Sequence, residues 1–139
     1  MVLASASPRA SSRPAPLPRS DHRDARIRQT STGFYEVEAK LFEELLRRPS
    51  SVAPRVEVTP VTEDGLFIGH ALTGITPGSV LDRLGLADDD VIELVNGENG
   101  RTASSVEAAR ATAERTAQVS VVLRRNGFQK LMMYRLVYY

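Results

Sequence analysis

The stretch GITPGSVLDRLGL, residues 74–86, decides the fold of this chain. Its Thr-Pro-Gly-Ser segment is typical of a turn after a strand, and the apolar residues that follow predict a short helix over 80–84, which Gly85 stops. A strand over 91–95 comes next, and Asn96-Gly97 ends it with a pair that favours a tight turn. The stretch therefore predicts a strand, a turn, a short helix and a second strand in succession.

Upstream of this stretch the pattern predicts a helix and a hairpin. An apolar stripe at helical spacing over 37–48 predicts the helix. Residues 55–59 alternate polar and apolar side chains, as a half-buried strand does, and Pro60 favours a sheet edge because proline donates no N–H to a ladder. A turn then leads into a second strand over 66–73.

Downstream, a helix and another hairpin complete the domain. Ser104 and Glu107 have the spacing of a capping box, which predicts a helix over 105–116. Strands over 119–124 and 128–136 follow, joined by a short turn. The order predicts a small α+β domain with a five-stranded, antiparallel or mixed sheet, preceded by an N-terminal helix.

The first part of the chain differs in composition from the rest. Residues 1–30 contain six Arg, two Asp and four of the eight Pro, with few large apolar side chains. Such a stretch buries too little surface to offset its ordering entropy, so we expect residues 1–32 to form a disordered basic tail, ordinarily a solvated linker. The start of the chain also lacks the charged and apolar segments of an export signal. Residues 33–50 are predicted to form the N-terminal helix and its connector.

The overall composition argues against several classes of protein. The 18 Lys and Arg nearly balance the 17 Asp and Glu, whereas general polyanion binders carry a clear basic excess. The absence of Cys excludes a disulfide scaffold, a thiolate metal site and a cysteine nucleophile, and two His leave little for a histidine-built metal centre. No apolar run approaches a membrane span. We expect no cofactor, no metal, no small-molecule substrate, no membrane span in this chain and no enzymatic activity.

Two groups of residues have the chemistry of a site but also an ordinary structural explanation. His70, Ser79 and Asp82 are the residue types of a hydrolytic triad, but Ser79 stands where a helix N-cap is expected. Residues 88–90 with Glu93 carry the charge to attract a cation, but they lack the ligand spacing of a calcium loop. We interpret the first group as a cap with a packed histidine, and the second as a solvated acidic turn.

The central stretch resembles a known signature. Residues 74–86, followed by Asp-Val-Ile at 90–92 and Asn-Gly at 96–97, resemble the central segment of bacterial PDZ domains. The resemblance covers residues 51–139 and implies a PDZ-like fold, a small and partly open barrel with two helices. Family members usually have Asn-Gly-Asp where this chain has Asp at 88–90. We therefore expect Asp89 to take a left-handed backbone that glycine would adopt more cheaply.

A narrower resemblance extends upstream. The segments LLRRPS at 45–50, RVEVTP at 55–60 and GLFIG at 65–69 resemble the C-terminal PDZ domain of protein C of the type II (general) secretion pathway. That resemblance implies a non-catalytic module on the periplasmic side of an inner-membrane complex. Its partners would be proteins, namely a secretion-system component or an exported protein.

PDZ domains bind an extended peptide by adding it to a strand edge beside a helix. Carried to the matching positions, the loop that holds a carboxylate is 51–54, the accepting edge is 55–59 and the helix is 105–116. Small alanines on that helix would leave room for the peptide. Because Pro54 removes one N–H from the loop, we expect an internal segment or a folded partner rather than a free C-terminus. The candidate peptide-binding residues are Ser51, Val52, Ala53, Arg55, Val56, Glu57, Val58, Val106, Ala109, Arg110 and Ala113.

Several alternatives remain open at this point. The N-terminal helix over 37–46 could cover the edge at 55–59 or pair with a copy of itself in a homodimer, and the two terminal tyrosines could form an interface. The domain could also be the regulatory PDZ domain of a periplasmic serine protease that lacks its catalytic domain here. A third possibility is a scaffold whose basic tail binds anionic lipid or nucleic acid, although nucleic acid fits the balanced charge poorly.

Overall fold

The computed structural model describes residues 26–138. No helix in this range is long and apolar enough to span a bilayer. In chain order the elements are β1 Ile27–Ser31, β2 Phe34–Glu38, α1 Ala39–Arg47, α2 Pro49–Val52, β3 Glu57–Glu63, β4 Leu66–Thr73, α3 Val80–Arg83, β5 Val91–Val95, α4 Ala103–Thr116, β6 Gln118–Arg125 and β7 Phe128–Val137.

The described strands form one mixed sheet in the order β1-β2-β7-β6-β5-β4-β3. Neighbouring strands are antiparallel, except that β2 runs parallel to β7. The sheet does not close, so β1 and β3 are its two edges. From β3 to β7 the elements follow the predicted order, and the fold is α+β and PDZ-like as the resemblance implies. Within residues 26–138 the sheet has seven strands rather than the predicted five, because β1 and β2 were not predicted as strands.

The start of the folded region differs from the prediction. Ile27–Ser31 is a strand rather than part of a disordered tail, and Phe34–Glu38 is a strand where the helix was expected to begin. Tyr35 and Val37 are buried while their neighbours face outward, which is the period of a strand. The strand β1 has a single buried apolar residue and is held by pairing with β2, which a local pattern does not reveal. The prediction for residues 1–25 lies outside the described residues.

The core lies on the inner face of the sheet. Alternate residues of β2, β6 and β7 point inward, and helices α1 and α4 cover them with Leu41 and Ala113. The rings of Tyr35 and Tyr134 stack with centroids 5.3 Å apart. The Tyr134 hydroxyl donates to the Leu84 carbonyl oxygen at 2.6 Å. The short helix α3 is thereby fixed to the last strand of the sheet.

The helix caps confirm one prediction and correct another. Ser79 caps α3, its hydroxyl accepting from the Asp82 N–H, as expected. The helix α4 begins earlier than predicted, with Thr102 as its N-cap accepting from the Ser105 N–H at 3.1 Å. Ser104 lies inside the helix because threonine two residues earlier can make the same capping bond.

The acidic turn between α3 and β5 is only partly solvated. Asp88 accepts from the Ile75 N–H at 2.8 Å, and Asp89 has the expected left-handed backbone with φ of 71°. Asp90, in contrast, is completely buried and forms an ion pair with Arg125 at 2.7 Å. The prediction of a solvated turn is therefore wrong for Asp90, since a partner distant in sequence neutralises its charge. It is also wrong for Glu93, which is buried and pairs with Arg124 at 2.7 Å.

Candidate functional site

An apolar cavity of about 380 Å³ opens beside β3. Helices α1 and α2 form one wall with Leu45, Leu46 and Pro49, and β3 with the residues before it forms the other with Val56 and Val58. Inward side chains of β4, β5 and β6 form the floor. Because most of its lining is apolar, the cavity suits aliphatic or aromatic side chains rather than polar groups.

The strand β3 lies open beside this cavity. Within residues 26–138 its ladder partner is β4, and residues 57–60 are all exposed. The alternative in which the N-terminal helix covers this edge therefore does not hold for the described residues. An uncovered strand edge of this kind can accept another strand.

The hydrogen bonds of Leu72 show which groups of the edge are available. Leu72 donates from its N–H to the Asp90 carbonyl at 2.9 Å, and its own carbonyl accepts from the Asp89 N–H at 2.7 Å. Leu72 therefore turns its polar groups away from its register partner Val58, and the N–H and C=O of Val58 point outward. By the same alternation Pro60 presents a carbonyl oxygen but no N–H. The edge thus offers both a donor and an acceptor at Val58 and an acceptor alone at Pro60.

The loop ahead of β3 makes internal bonds with the groups that would hold a carboxylate. The Ala53 N–H donates to the Pro49 carbonyl at 2.8 Å, and the Val56 N–H donates to the Ala53 carbonyl at 3.2 Å. The Ser51 N–H donates to Arg48 at 3.0 Å, and Pro54 has no N–H. Holding a terminal carboxylate here would require breaking these bonds, so the loop favours an internal segment.

The face of helix α4 that was predicted to bind peptide does not border the cavity. Ala109 and Ala113 are buried against the sheet, and the Asn96 side chain donates to the Ala109 carbonyl at 3.1 Å. Arg110 is held by Glu107 and by Glu114. None of these residues, nor Val106, is among the residues that line the described cavity. The small alanines let α4 pack closely on β6, and the predicted peptide-binding role of this helix stays a prediction.

The residues of the other candidate sites have structural roles. Asp82 accepts from the Gly78 N–H at 2.8 Å and lies in the first turn that Ser79 caps. The His70 ring packs edge-on against Phe67 with centroids 5.1 Å apart. In the part of the chain that the structure describes, no cluster of three or more His, Cys, Asp or Glu is arranged to hold a metal ion.

No protein-family model and no curated protein matches the chain. Two structures of the PDZ domain of EpsC from Vibrio cholerae are similar to it, with TM-scores of 0.47 and 0.43 and identities of 19% and 16%. They cover 70% and 60% of this chain, which spans 92% and 97% of theirs.

A third similar structure is a crystal structure of the PDZ domain of the pullulanase C protein of the type II secretion system from Klebsiella pneumoniae, in complex with fatty acid. Its TM-score is 0.43 and its identity 16%, over 69% of this chain and 99% of that one. All three of these structures are PDZ domains, and one belongs to a type II secretion protein.

Of the predicted peptide-binding residues, Ala53, Val56 and Val58 line the cavity, whereas Leu45 and Leu46 on its other wall were not predicted as site residues. Leu45 and Leu46 belong to the apolar stripe that predicted the first helix, but that stripe was interpreted as a cover or a dimer contact. The signal in the sequence was the pair Leu45 and Leu46, two adjacent apolar residues in the last turn of α1 that both line the cavity. The spacing of apolar residues along a helix does not indicate which strand the helix faces. The position of α1 opposite β3 could therefore not be predicted from it.

Proposed function

We propose that this chain is a non-catalytic protein-interaction module that binds an extended internal segment of a partner by β-augmentation on β3. The observation that carries the proposal is the position of Val58. Its N–H and C=O point outward at the open edge, and its side chain lines the apolar cavity. One residue thus joins a backbone pairing site to a pocket for side chains.

The bound segment would have a defined pattern. Two backbone hydrogen bonds form with Val58, and a third forms with the Pro60 carbonyl. Because successive side chains of a strand point to opposite faces, every second side chain of the segment enters the cavity. The segment therefore carries apolar residues two positions apart, with polar residues between them.

The setting we propose is a type II secretion system. The support comes from the sequence segments at 45–50, 55–60 and 65–69, which resemble protein C of that pathway. The partner is then a secretion-system component or an exported protein, met in the periplasm at an inner-membrane complex. A regulatory protease PDZ domain that captures free C-termini fits less well, because donors of the loop at 51–56 are already engaged.

The test is an amide NMR titration of the full chain with extended peptides of about six residues, the common length of a strand. Each peptide is offered with a free and with an amidated C-terminus. We expect shifts at residues 56–60 for both forms, and loss of binding when the peptide backbone is N-methylated at the pairing position. Shifts that require a free C-terminus would support the protease alternative, and an edge that stays silent with every peptide would overturn the proposal.

Two matched variants separate the two possible walls of the site. Val58→Lys places a charge at the apolar cavity and should abolish peptide binding. Val106→Lys places the same charge on α4, outside the cavity lining, and should leave binding intact. If Val106→Lys abolishes binding and Val58→Lys does not, the peptide lies along α4 instead.

A further inference from the structure

A row of apolar side chains crosses the outer face of the sheet, opposite the core. Phe34 of β2 pairs with Met133 of β7, and Leu131 of β7 pairs with Val122 of β6, which pairs with Leu94 of β5. We call these five residues the outer strip. Phe34, Leu131 and Leu94 are 51%, 58% and 38% exposed, so no described helix covers them.

At both borders of the outer strip, arginine side chains are more exposed to solvent than the glutamates with which they pair. On one side Glu36 lies between Arg28 and Arg135, with ion pairs of 2.6 and 3.5 Å. On the other side Glu93 pairs with Arg124 at 2.7 Å. The Arg135 side chain is 67% exposed against 23% for Glu36, and that of Arg124 is 37% exposed against 10% for Glu93. The charge presented to solvent on both sides is therefore guanidinium.

We propose that the outer strip is a docking site for an amphipathic helix of a partner protein, with acidic residues on both sides of its apolar face. Four adjacent strands about 4.8 Å apart span about 14 Å, which is the length of about ten helical residues, or three turns. The apolar face of such a helix would cover the strip, and its acidic borders would meet the arginines. The site lies on the opposite face from the core and cavity, and it does not depend on the proposed function.

Charge argues against two other occupants. A second copy packed face to face would bring its own exposed arginines against Arg135 and Arg124, while its carboxylates remain shielded. Residues 1–25 of this chain contain four Arg against two Asp, and their four Pro oppose a helix. Like charges across an interface are unfavourable, so a separate acidic partner is the occupant that fits.

The test uses the full chain and synthetic helical peptides of about fourteen residues, four turns of helix. One peptide has a leucine stripe bordered by Glu, and a matched peptide has the same stripe bordered by Lys. We expect the Glu peptide to bind at least about tenfold more tightly by fluorescence anisotropy, less so at high salt, with NMR shifts on the outer strip. Equal affinity of the two peptides, or shifts confined to β3, would overturn the proposal.

Three variants identify the surface. Leu131→Glu should abolish binding of the Glu peptide, whereas Leu66→Glu, at an exposed position on β4, should not change it. Arg135→Glu should weaken the Glu peptide and strengthen the Lys peptide, a reversal that misfolding cannot produce. Concentration-dependent dimers that Leu131→Glu disperses would show a second copy on the strip. Shifts in residues 1–25 caused by the same variant would show that the tail covers it, and either result would overturn the proposal.

Discussion

Arg125 donates from Nε to Oδ1 of Asp90 at 2.8 Å and from Nη2 to Oδ2 at 2.7 Å, while Asp90 is completely buried. The same Nη2 also donates to the Gly85 carbonyl at 2.8 Å, and Asp90 accepts from the Ala87 N–H at 2.8 Å. The hydrogen bond to Asp90 raises the pKa of Arg125 above its usual value. One bidentate pair thus fastens the β6–β7 hairpin to the loop between α3 and β5.

The ion pair between Arg125 and Asp90 is predicted to stabilise the folded state. Arg125→Ala leaves the Asp90 carboxylate buried without its partner, and we expect it to lower the free energy of unfolding by about 3–5 kcal/mol. Arg47→Ala removes an exposed ion pair with Glu43 and should leave that free energy nearly unchanged. Urea denaturation measures both variants. Equal effects of the two variants would contradict the role of the buried pair.

The stacked tyrosines predict a loss of stability at high pH. Burial raises the pKa of Tyr134 and of Tyr35 above the ordinary value of 10.0. The folded state holds these protons more tightly than the unfolded state, so stability is complete below pH 10 and falls as the pH rises beyond it. The expected slope is about 1.4 kcal/mol per pH unit for each ionising tyrosine.

Tyr134→Phe tests the assignment of this pH dependence. The variant should reduce the slope above pH 10, and at neutral pH it should cost about 1 kcal/mol because the bond to the Leu84 carbonyl is lost. Denaturation curves recorded from pH 7 to 11 provide the measurement. A profile that Tyr134→Phe leaves unaltered above pH 10 would assign the effect to other groups.

Gly74 lies close to the backbone of Arg55, just before β3, and Gly78 provides a matched control for the effect of that contact. Gly74 and Gly78 have φ of +85° and +82°, so alanine at either position costs about 1–2 kcal/mol in backbone strain. A Cβ at Gly74 would in addition meet the Arg55 carbonyl oxygen, whereas a Cβ at Gly78 meets open space. We expect Gly74→Ala to be the more destabilising by thermal unfolding, and to weaken peptide binding by displacing the residues before β3. Equal melting temperatures would show that the backbone at Arg55 yields without cost.

The strand β1 predicts that the folded unit starts before Gly33. A chain beginning at Gly33 lacks Ile27, whose burial contributes about 1.5–3 kcal/mol, and it leaves β2 without its outer partner. A chain beginning at Arg26 retains both. We expect the first to have a lower free energy of unfolding than the second by at least about that amount. Identical denaturation midpoints would show that β1 adds nothing to the sheet.

Local chemistry made much of the central fold predictable. The turns after β5 and β6 could be predicted because Asn96 and Asn126 take the left-handed backbone that such turns require, with φ of 52° and 53°. The cap at Ser79 and the strands around 91–95 and 119–124 follow from patterns that a few consecutive residues contain. These elements depend on their own neighbours in the sequence.

The missed features depend on distant partners. The strand β2 was assigned to a helix because Val37 fits both periods, and its pairing with β7 decides between them. Asp90 was expected in solvent because Arg125, which neutralises it, lies far along the chain. The helix over 105–116 was predicted to flank the peptide because its alanines are small, but Ala109 and Ala113 are buried and do not line the cavity, so peptide binding beside α4 stays a prediction.

The parallel pairing of β2 with β7 also sets an order of events during synthesis. Phe34 lies beside Met133, roughly a hundred residues later in the chain, so β2 can pair with β1 but lacks β7 until nearly all the described residues have left the ribosome. Until then the hairpin β1–β2 lacks its neighbouring strand, and the apolar face of α1 remains exposed to water or bound by a chaperone. A pause in translation between α4 and β7 would therefore prolong the interval in which the nascent chain is most prone to aggregate.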